Sequence, residues 1–237
     1  MIRPSRFALV PVLAAALALP AAPALADVAF NASLTSDYRY RGISQTRLKP
    51  ALQGGVDYSA GAFYLGAWGS TIKWIKDGGG GADVELDVYG GYKTEIASGL
   101  TLDVGLLQYY YPSHDLAVSP NTLEAYGALT AGPATLKISR SFKNLFGFAD
   151  SKGSMYYDLS ATFDLGDGWS VTPHIGRQTV KNNKDFTYTD ASLMVNKTID
   201  ALTFSAGVVD AKTGFYVGPG NKDLGARRVV ASVKYAF

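Results

Sequence analysis

Apolar and polar residues alternate along nearly the whole chain after residue 27, and this period of two constrains the fold more than any other feature. From Val28 to Leu34 each even position is apolar and each odd position is small or polar. Successive side chains of a strand point to opposite faces, so the pattern predicts strands with one apolar and one polar face. Twelve strands are predicted, around residues 28–40, 51–59, 62–70, 86–88, 100–106, 123–125, 136–138, 155–163, 169–175, 191–195, 202–208 and 229–237.

The connections between these strands alternate in length. Long ones span 42–50, 71–82, 112–121, 143–153, 179–186 and 211–224, and short ones span 60–61, 94–99, 132–133, 164–168 and 197–200. In an antiparallel meander this places all long loops at one end, which is typical of an outer-membrane β-barrel and is not required of a soluble sandwich. We therefore expect a transmembrane antiparallel barrel of about 12 strands. Its first and last strands should pair, because lipid offers no partner to an open edge.

The N-terminus predicts export. Arg3 and Arg6 precede an apolar run, and the small residues 24–26 form an A-x-A cleavage pattern. We expect a cleaved signal peptide at 1–26 and a single barrel domain at 27–237, in the outer membrane of a Gram-negative bacterium. Losing the two arginines leaves equal numbers of acidic and basic groups, since the full chain has 22 Lys and Arg against 20 Asp and Glu. No nucleic-acid partner is expected, and the absence of cysteine excludes disulfides and thiolate metal sites.

Aromatic residues add to the case for a membrane barrel, because Tyr and Trp favour the two membrane–water interfaces. Two girdles are predicted from the positions of aromatics near strand ends. The last residue, Phe237, lies in phase with Tyr235 and Val233 and is similar to the C-terminal signal read by the barrel-assembly machinery. The outer girdle would contain Tyr38, Tyr40, Trp68 and Tyr110, and the periplasmic girdle Tyr58, Tyr92, Trp169 and Tyr235.

Three segments near the N-terminus carry a family resemblance. They are SLTSDYRYRGISQT at 33–46, KPALQGG at 49–55 and FYLGAWGS at 63–70, and ELDVYGGY at 85–92 extends the match. This pattern resembles the TorF family of proteobacterial porins. The resemblance implies an outer-membrane barrel and a pore, and it implies no catalytic residues.

A barrel of this size predicts a narrow passage. With strands about 4.8 Å apart and tilted about 40°, the backbone diameter is roughly 24 Å and the opening on the order of 10 Å. The polar phase supplies the expected lining, in which acidic groups outnumber basic ones and favour cations. Pairing across the lumen is the alternative role for these charges. The predicted pore-lining residues are Asp37, Arg39, Gln53, Asp57, Asp83, Glu85, Asp87, Tyr89, Asp103, Asp158, His174, Asp190, Arg228 and Lys234.

Catalytic signals are sparse, so a passive channel for small solutes is expected rather than an enzyme. His114 falls in a long loop and His174 on a polar phase, and no catalytic, cofactor or metal site is predicted. Two alternatives stay open: a lipid-modifying outer-membrane enzyme, which would need a Ser–His pair, and a closed barrel whose long loops bind a partner. The expected partners are outer-membrane lipid, the assembly machinery and small solutes.

Overall fold

The computed structural model describes residues 26–237, so the predicted signal peptide lies outside the described residues except for Ala26. None of the helices in 26–237 is long and apolar enough to cross a membrane. Residues 26–237 form twelve antiparallel wall strands. They are β1 (Asp27–Thr35), β2 (Ala51–Ala60), β3 (Phe63–Thr71), β4 (Val84–Ala97), β5 (Leu100–Tyr110), β6 (Thr122–Ala131), β7 (Ala134–Ser141), β8 (Met155–Ala161, continuing as Phe163–Gly166), β9 (Trp169–Thr179), β10 (Tyr188–Ile199), β11 (Leu202–Lys212) and β12 (Arg228–Ala236).

The sheet closes on itself, which confirms the predicted pairing of the first and last strands. The contact runs from Asn31 opposite Ala236 to Thr35 opposite Ser232. Strand β8 is interrupted at Thr162, and both of its parts pair with β9, so they form one wall position. Closure gives every wall strand two neighbours, as a lipid environment requires.

The first strand is shorter than predicted. Alternation continues to Tyr40 in the sequence, but β1 ends at Thr35 and the chain then leaves the wall. A small hairpin follows, in which Arg39–Tyr40 pairs with Ile43–Ser44. Arg41 and Gly42 at its tip both have positive φ, so the chain reverses sharply there.

Side chains alternate across the wall in the predicted phase. Leu159, Leu193 and Phe204 are about half exposed on the outer face, whereas their neighbours Asp158 and Ser192 are turned to the inside. A soluble sandwich would bury its apolar face in one dry core, and this chain instead displays that face outward. The outer surface therefore matches a barrel in lipid.

The ends of the barrel differ as the sequence predicted. Tight turns join β2 to β3, β4 to β5, β6 to β7, β8 to β9 and β10 to β11, and long loops join the strands at the other end. A one-turn helix (Trp74–Asp77), a 3₁₀ turn (Lys184–Phe186) and a small hairpin (Val217–Gly218 with Lys222–Asp223) lie in the long loops. In outer-membrane barrels the long loops are extracellular and the tight turns periplasmic.

Only one of the two predicted aromatic girdles is present as predicted. Tyr58, Tyr92, Trp169 and Tyr235 are all exposed on the outer face near the tight turns. At the long-loop end Tyr110 is also exposed outward. For the other three predicted members the prediction was wrong, because their rings pack inside the barrel: Tyr38, Tyr40 and Trp68.

Candidate channel interior

The segment 36–50, here called the infolded loop, enters the barrel instead of covering its mouth. Asp37 organises it by accepting hydrogen bonds from Ser44 Oγ at 2.5 Å and Thr46 Oγ1 at 3.2 Å. The same carboxylate pairs with Arg39 Nε at 2.7 Å, and Arg39 Nη1 donates to the carbonyl oxygens of Gly42 and Ala226. These local bonds hold the loop as a fixed hairpin. Asp37 and Arg39 therefore belong to this loop and not to the first wall strand, which corrects their predicted position.

Arg41 ties the tip of the infolded loop to the distant wall. Its Nη2 and Nη1 lie 2.7 and 3.0 Å from the two carboxylate oxygens of Glu124 on β6. Nη1 also donates to Gln178 Oε1 on β9 at 2.6 Å. The guanidinium lies over the rings of Tyr40 and Tyr156, 4.7 and 4.1 Å from their centroids. Burial opposes the charge, yet the adjacent Glu124 carboxylate raises the pKa of Arg41 well above its ordinary value, so the guanidinium stays charged.

One flank of the infolded loop packs against strands β2 to β6. Tyr38 Oη donates to Glu85 Oε1 at 2.8 Å, and its ring meets Trp68 edge-on. Tyr40 and Tyr109 share a hydroxyl hydrogen bond of 2.6 Å. Burial, reinforced by the acidic side chain of Glu85, raises the pKa of Tyr38 well above its usual value and keeps the phenol as a donor. This side of the lumen is a packed aromatic cluster.

The other flank packs against strands β10 and β11. A Cβ at Gly42 would lie only 2.6 Å from the Cβ of Asp190 and 2.9 Å from that of Ala211, and Gly42 has a φ of +79°. Only glycine fits this close approach in that backbone conformation. Next to it, Ile43 joins Tyr188, Ala211 and Leu224 in a second buried cluster. The loop is thus supported on both sides of the lumen.

The half of the interior nearer the tight turns carries a polar lining of tyrosines and carboxylates. Tyr64 Oη donates to Asp103 Oδ1 at 2.6 Å and also contacts the hydroxyl of Tyr126. Tyr89 Oη donates to Asp57 Oδ1 at 2.5 Å. These groups are half-buried, in contrast to the dry clusters around the infolded loop. Lys137 lies in the same part of the interior, and its ammonium is 4.0 Å from the ring centroid of Tyr126.

His174 has acidic and phenolic neighbours on the inner face. Its Nε2 lies 3.2 Å from Asp158 Oδ2, and its Nδ1 lies 3.7 Å from Asp190 Oδ1. The hydroxyl of Tyr156 lies 3.3 Å from Nε2 and donates to Asp190. The cluster binds strands β8, β9 and β10 together through their inward side chains.

The one contact between a serine hydroxyl and a histidine ring in residues 26–237 lies in an exposed loop. His114 Nε2 is 3.4 Å from Ser119 Oγ, and His114 Nδ1 accepts a hydrogen bond from the Leu116 backbone N–H. With Nδ1 accepting, the neutral ring carries its proton on Nε2 and donates it to the serine. A general base needs the reverse arrangement, so this pair does not activate Ser119 in the geometry seen.

The predicted lining residues divide into four groups in the structure. The wall positions Gln53, Asp57, Glu85, Asp87, Tyr89, Asp103, Asp158, His174, Asp190 and Lys234 are on the inner phase of their strands, and Arg228 is exposed at the start of β12. Asp37 and Arg39 are in the infolded loop. Asp83 is a correction: it precedes β4, is exposed, and pairs with Lys76 Nζ at 2.7 Å. That contact lowers the pKa of Asp83.

Sequence reasoning missed several interior residues that organise the site. Glu124 lies on the polar phase between the outward positions Leu123 and Ala125, so the alternation contained the signal for it. Lys93 and Lys137 also lie on the polar phase of their strands and were detectable in the same way. In the folded barrel, Lys93 lies opposite Asp103 in the strand register. The role of Arg41 had no local signal. Its partner is distant in sequence and meets it only when the loop enters the barrel.

Three solved structures illustrate the barrel fold that this chain shares. The KdgM porin in complex with disordered oligogalacturonate matches with a TM-score of 0.59 at 9% identity, covering 90% of this chain and 99% of that chain. The NanC porin matches with a TM-score of 0.56 at 10% identity, covering 88% and 99%. LpxR from Salmonella typhimurium matches with a TM-score of 0.51 at 11% identity, also covering 88% and 99%. At such low identity these likenesses show the fold, a porin-like outer-membrane barrel.

Sequence comparison places the chain in a family without naming an activity. No protein of curated function matches the sequence. A family model described as a bacterial protein of unknown function (Gcw_chp) matches residues 18–237. That description does not carry the TorF name, so of the predicted resemblance the porin-like barrel is supported and the name is not confirmed. Because the match spans almost the entire chain, the protein belongs to the Gcw_chp family.

Proposed function

We propose that this protein is an outer-membrane channel for passive diffusion of small polar solutes, and that the infolded loop sets the width of its path. The observation that carries the proposal is the polar inner wall of a closed barrel that is crossed by a loop with fixed attachments. A barrel of this strand number without a loop inside would leave an opening on the order of 10 Å. The infolded loop divides and narrows that space.

The chemistry of the wall favours polar, positively charged solutes. Within residues 26–237, six carboxylates on the inner face lie outside the infolded loop and its partner Glu124: Asp57, Glu85, Asp87, Asp103, Asp158 and Asp190. Three lysines share that face: Lys93, Lys137 and Lys234. Glu85 and Asp87 are buried beside the aromatic cluster, so Asp57 and Asp103 are the acids most accessible from the tight-turn end. Carboxylates in a narrow passage attract cations and repel anions.

Planar-bilayer recording of the purified barrel tests the proposal. We expect discrete conductance steps from the wild type and larger steps from Arg41→Ala, because the variant loses the side chain that ties the loop to β6 and β9. The matched control is Arg227→Ala, which removes an exposed arginine paired with Asp210 on the outside and should leave conductance unchanged.

A second variant separates a narrow channel from a closed barrel. Arg41→Ala with Tyr38→Phe removes attachments on both sides of the infolded loop. If neither the wild type nor this double variant conducts, although correct insertion is verified by heat-modifiable gel mobility, the channel proposal is wrong. The protein would then be a closed barrel whose function lies in its long loops.

A further inference from the structure

The outer face of the barrel carries a group of cations at the long-loop end, away from the lumen. Arg140 is on the outward phase of β7, between the exposed residues Ile138 and Phe142. Lys152 follows in the loop to β8, and Lys181 follows β9 in the next long loop. All three side chains belong to residues exposed on the surface. They lie just beyond the apolar band that faces lipid.

These cations converge on one cleft. Its lining brings together Arg140, Lys152 and Lys181, with Asp150 as the single acidic member. Arg140 and Lys181 both approach Gly153: its Cβ, if present, would lie 3.8 Å from Arg140 Nη2 and 3.8 Å from Lys181 Cδ.

The positive charge of the cleft is not neutralised by the protein. Of the ion pairs formed within residues 26–237, none includes Arg140, Lys152 or Lys181. Cations in the first long loops behave differently, because Arg47 pairs with Asp77 and Lys76 pairs with Asp83. Three converging cations with one nearby carboxylate leave an excess of positive charge for an anionic ligand.

We propose that this cleft binds the phosphate groups of the phosphorylated glycolipid in the outer leaflet. Guanidinium and ammonium groups recognise phosphate, and the planar fork of arginine does so with two parallel hydrogen bonds. The position of the cleft selects lipid over free phosphate. Its rim includes the exposed ring of Phe142, and the outward residue Ile138 lies below it, so acyl chains have apolar surface beneath the headgroup.

The long aliphatic side chains of Lys152 and Lys181 also favour a lipid as the ligand. A long aliphatic side chain at a membrane boundary can lie along apolar surface while its charged end reaches the headgroup layer. Thr189 Oγ1 accepts a hydrogen bond from Arg177 Nη1 on the neighbouring outward surface, which extends the cationic band along β9 and β10. The inference concerns the outer surface and does not depend on conduction through the lumen.

Native mass spectrometry of the detergent-solubilised barrel tests the proposal with purified diphosphorylated lipid A as the probe. The wild type should retain bound lipid A, and binding should weaken at least tenfold for enzymatically dephosphorylated lipid A. This comparison uses unmodified protein and is independent of folding effects. The triple variant Arg140→Gln, Lys152→Gln, Lys181→Gln should lose affinity for the phosphorylated lipid by a similar factor.

The matched control replaces two exposed cations at the same end that already have partners, Lys76→Gln with Arg227→Gln, and it should bind lipid A as the wild type does. Equal binding of phosphorylated and dephosphorylated lipid by the wild type would overturn the proposal. So would equal binding by the wild type and the triple variant. Displacement of lipid A by inorganic phosphate at matching concentration would show a free-phosphate site and refute the assignment to lipid.

Discussion

Removing Arg41 should destabilise the barrel far more than removing an arginine from its surface. In the wild type the side chains of Arg41 and Glu124 are 7% and 3% exposed, and Arg41 Nη2 lies 2.7 Å from Glu124 Oε2. Arg41→Ala leaves the Glu124 carboxylate buried with the more distant Tyr109 hydroxyl, at 3.3 Å, as its remaining donor. Breaking a buried ion pair in this way costs about 3–5 kcal/mol, because the remaining charge is desolvated without compensation.

The double variant Arg41→Ala, Glu124→Gln identifies the source of that cost. It removes the unpaired charge together with its partner, so the free energy of unfolding should recover by about 2–3 kcal/mol relative to Arg41→Ala. The two single variants and the double variant together form a double-mutant cycle, which measures the coupling energy of Arg41 with Glu124. The control cycle uses Arg227→Ala and Asp210→Asn, an exposed pair in which the Arg227 side chain is 72% exposed. Exposed pairs couple by only about 0.2–1 kcal/mol.

Urea unfolding in detergent micelles, followed by tryptophan fluorescence and by heat-modifiable gel mobility, measures both cycles. The reasoning is refuted if the coupling energy of Arg41 with Glu124 is as small as that of Arg227 with Asp210. A double variant Arg41→Ala, Glu124→Gln that is as unstable as Arg41→Ala alone would also refute it, since the glutamine leaves no unpaired negative charge.

Two further sets of substitutions test the outer and inner faces of the barrel wall. Leu193→Lys places a charge on the outward face of β10 and should cost about 2–4 kcal/mol in a lipid bilayer, measured by urea unfolding, whereas Ser192→Lys on the inner face should cost less. Asp57→Asn with Asp103→Asn should shift the reversal potential in a KCl gradient toward anion preference. The control Asp210→Asn lies outside the lumen and should leave it unchanged, and an equal shift in both would exclude these acids from the path.

The wall could be predicted from sequence because its pattern is local. Alternation at Leu159, Leu193 and Phe204 specifies which face meets lipid, and the loop lengths specify which strands share an end. Both signals depend on only a few neighbouring residues, so they can be recognised without knowledge of the tertiary structure. Closure then follows from the need to pair the edges of β1 and β12.

The infolded loop could not be predicted because its sequence also satisfies the strand pattern. Tyr38, Arg39, Tyr40 and Arg41 continue the alternation of β1, and aromatic residues are good strand formers. What removes them from the wall is contact with residues far along the chain, such as the bond from Tyr38 to Glu85. Trp68 was misplaced for the same reason, since its inward ring packs on Tyr38.

The loop and the wall therefore control different properties of the proposed channel. Arg41 narrows the path and also neutralises Glu124, so Arg41→Ala should raise conductance and increase the preference for cations. Adding Glu124→Gln removes the unpaired negative charge while leaving the loop untied from β6 and β9. That double variant should keep the higher conductance but return to the wild-type reversal potential. If instead both variants show the same reversal potential, Glu124 lies outside the permeation path and selectivity belongs to the half of the lumen lined by Asp57 and Asp103.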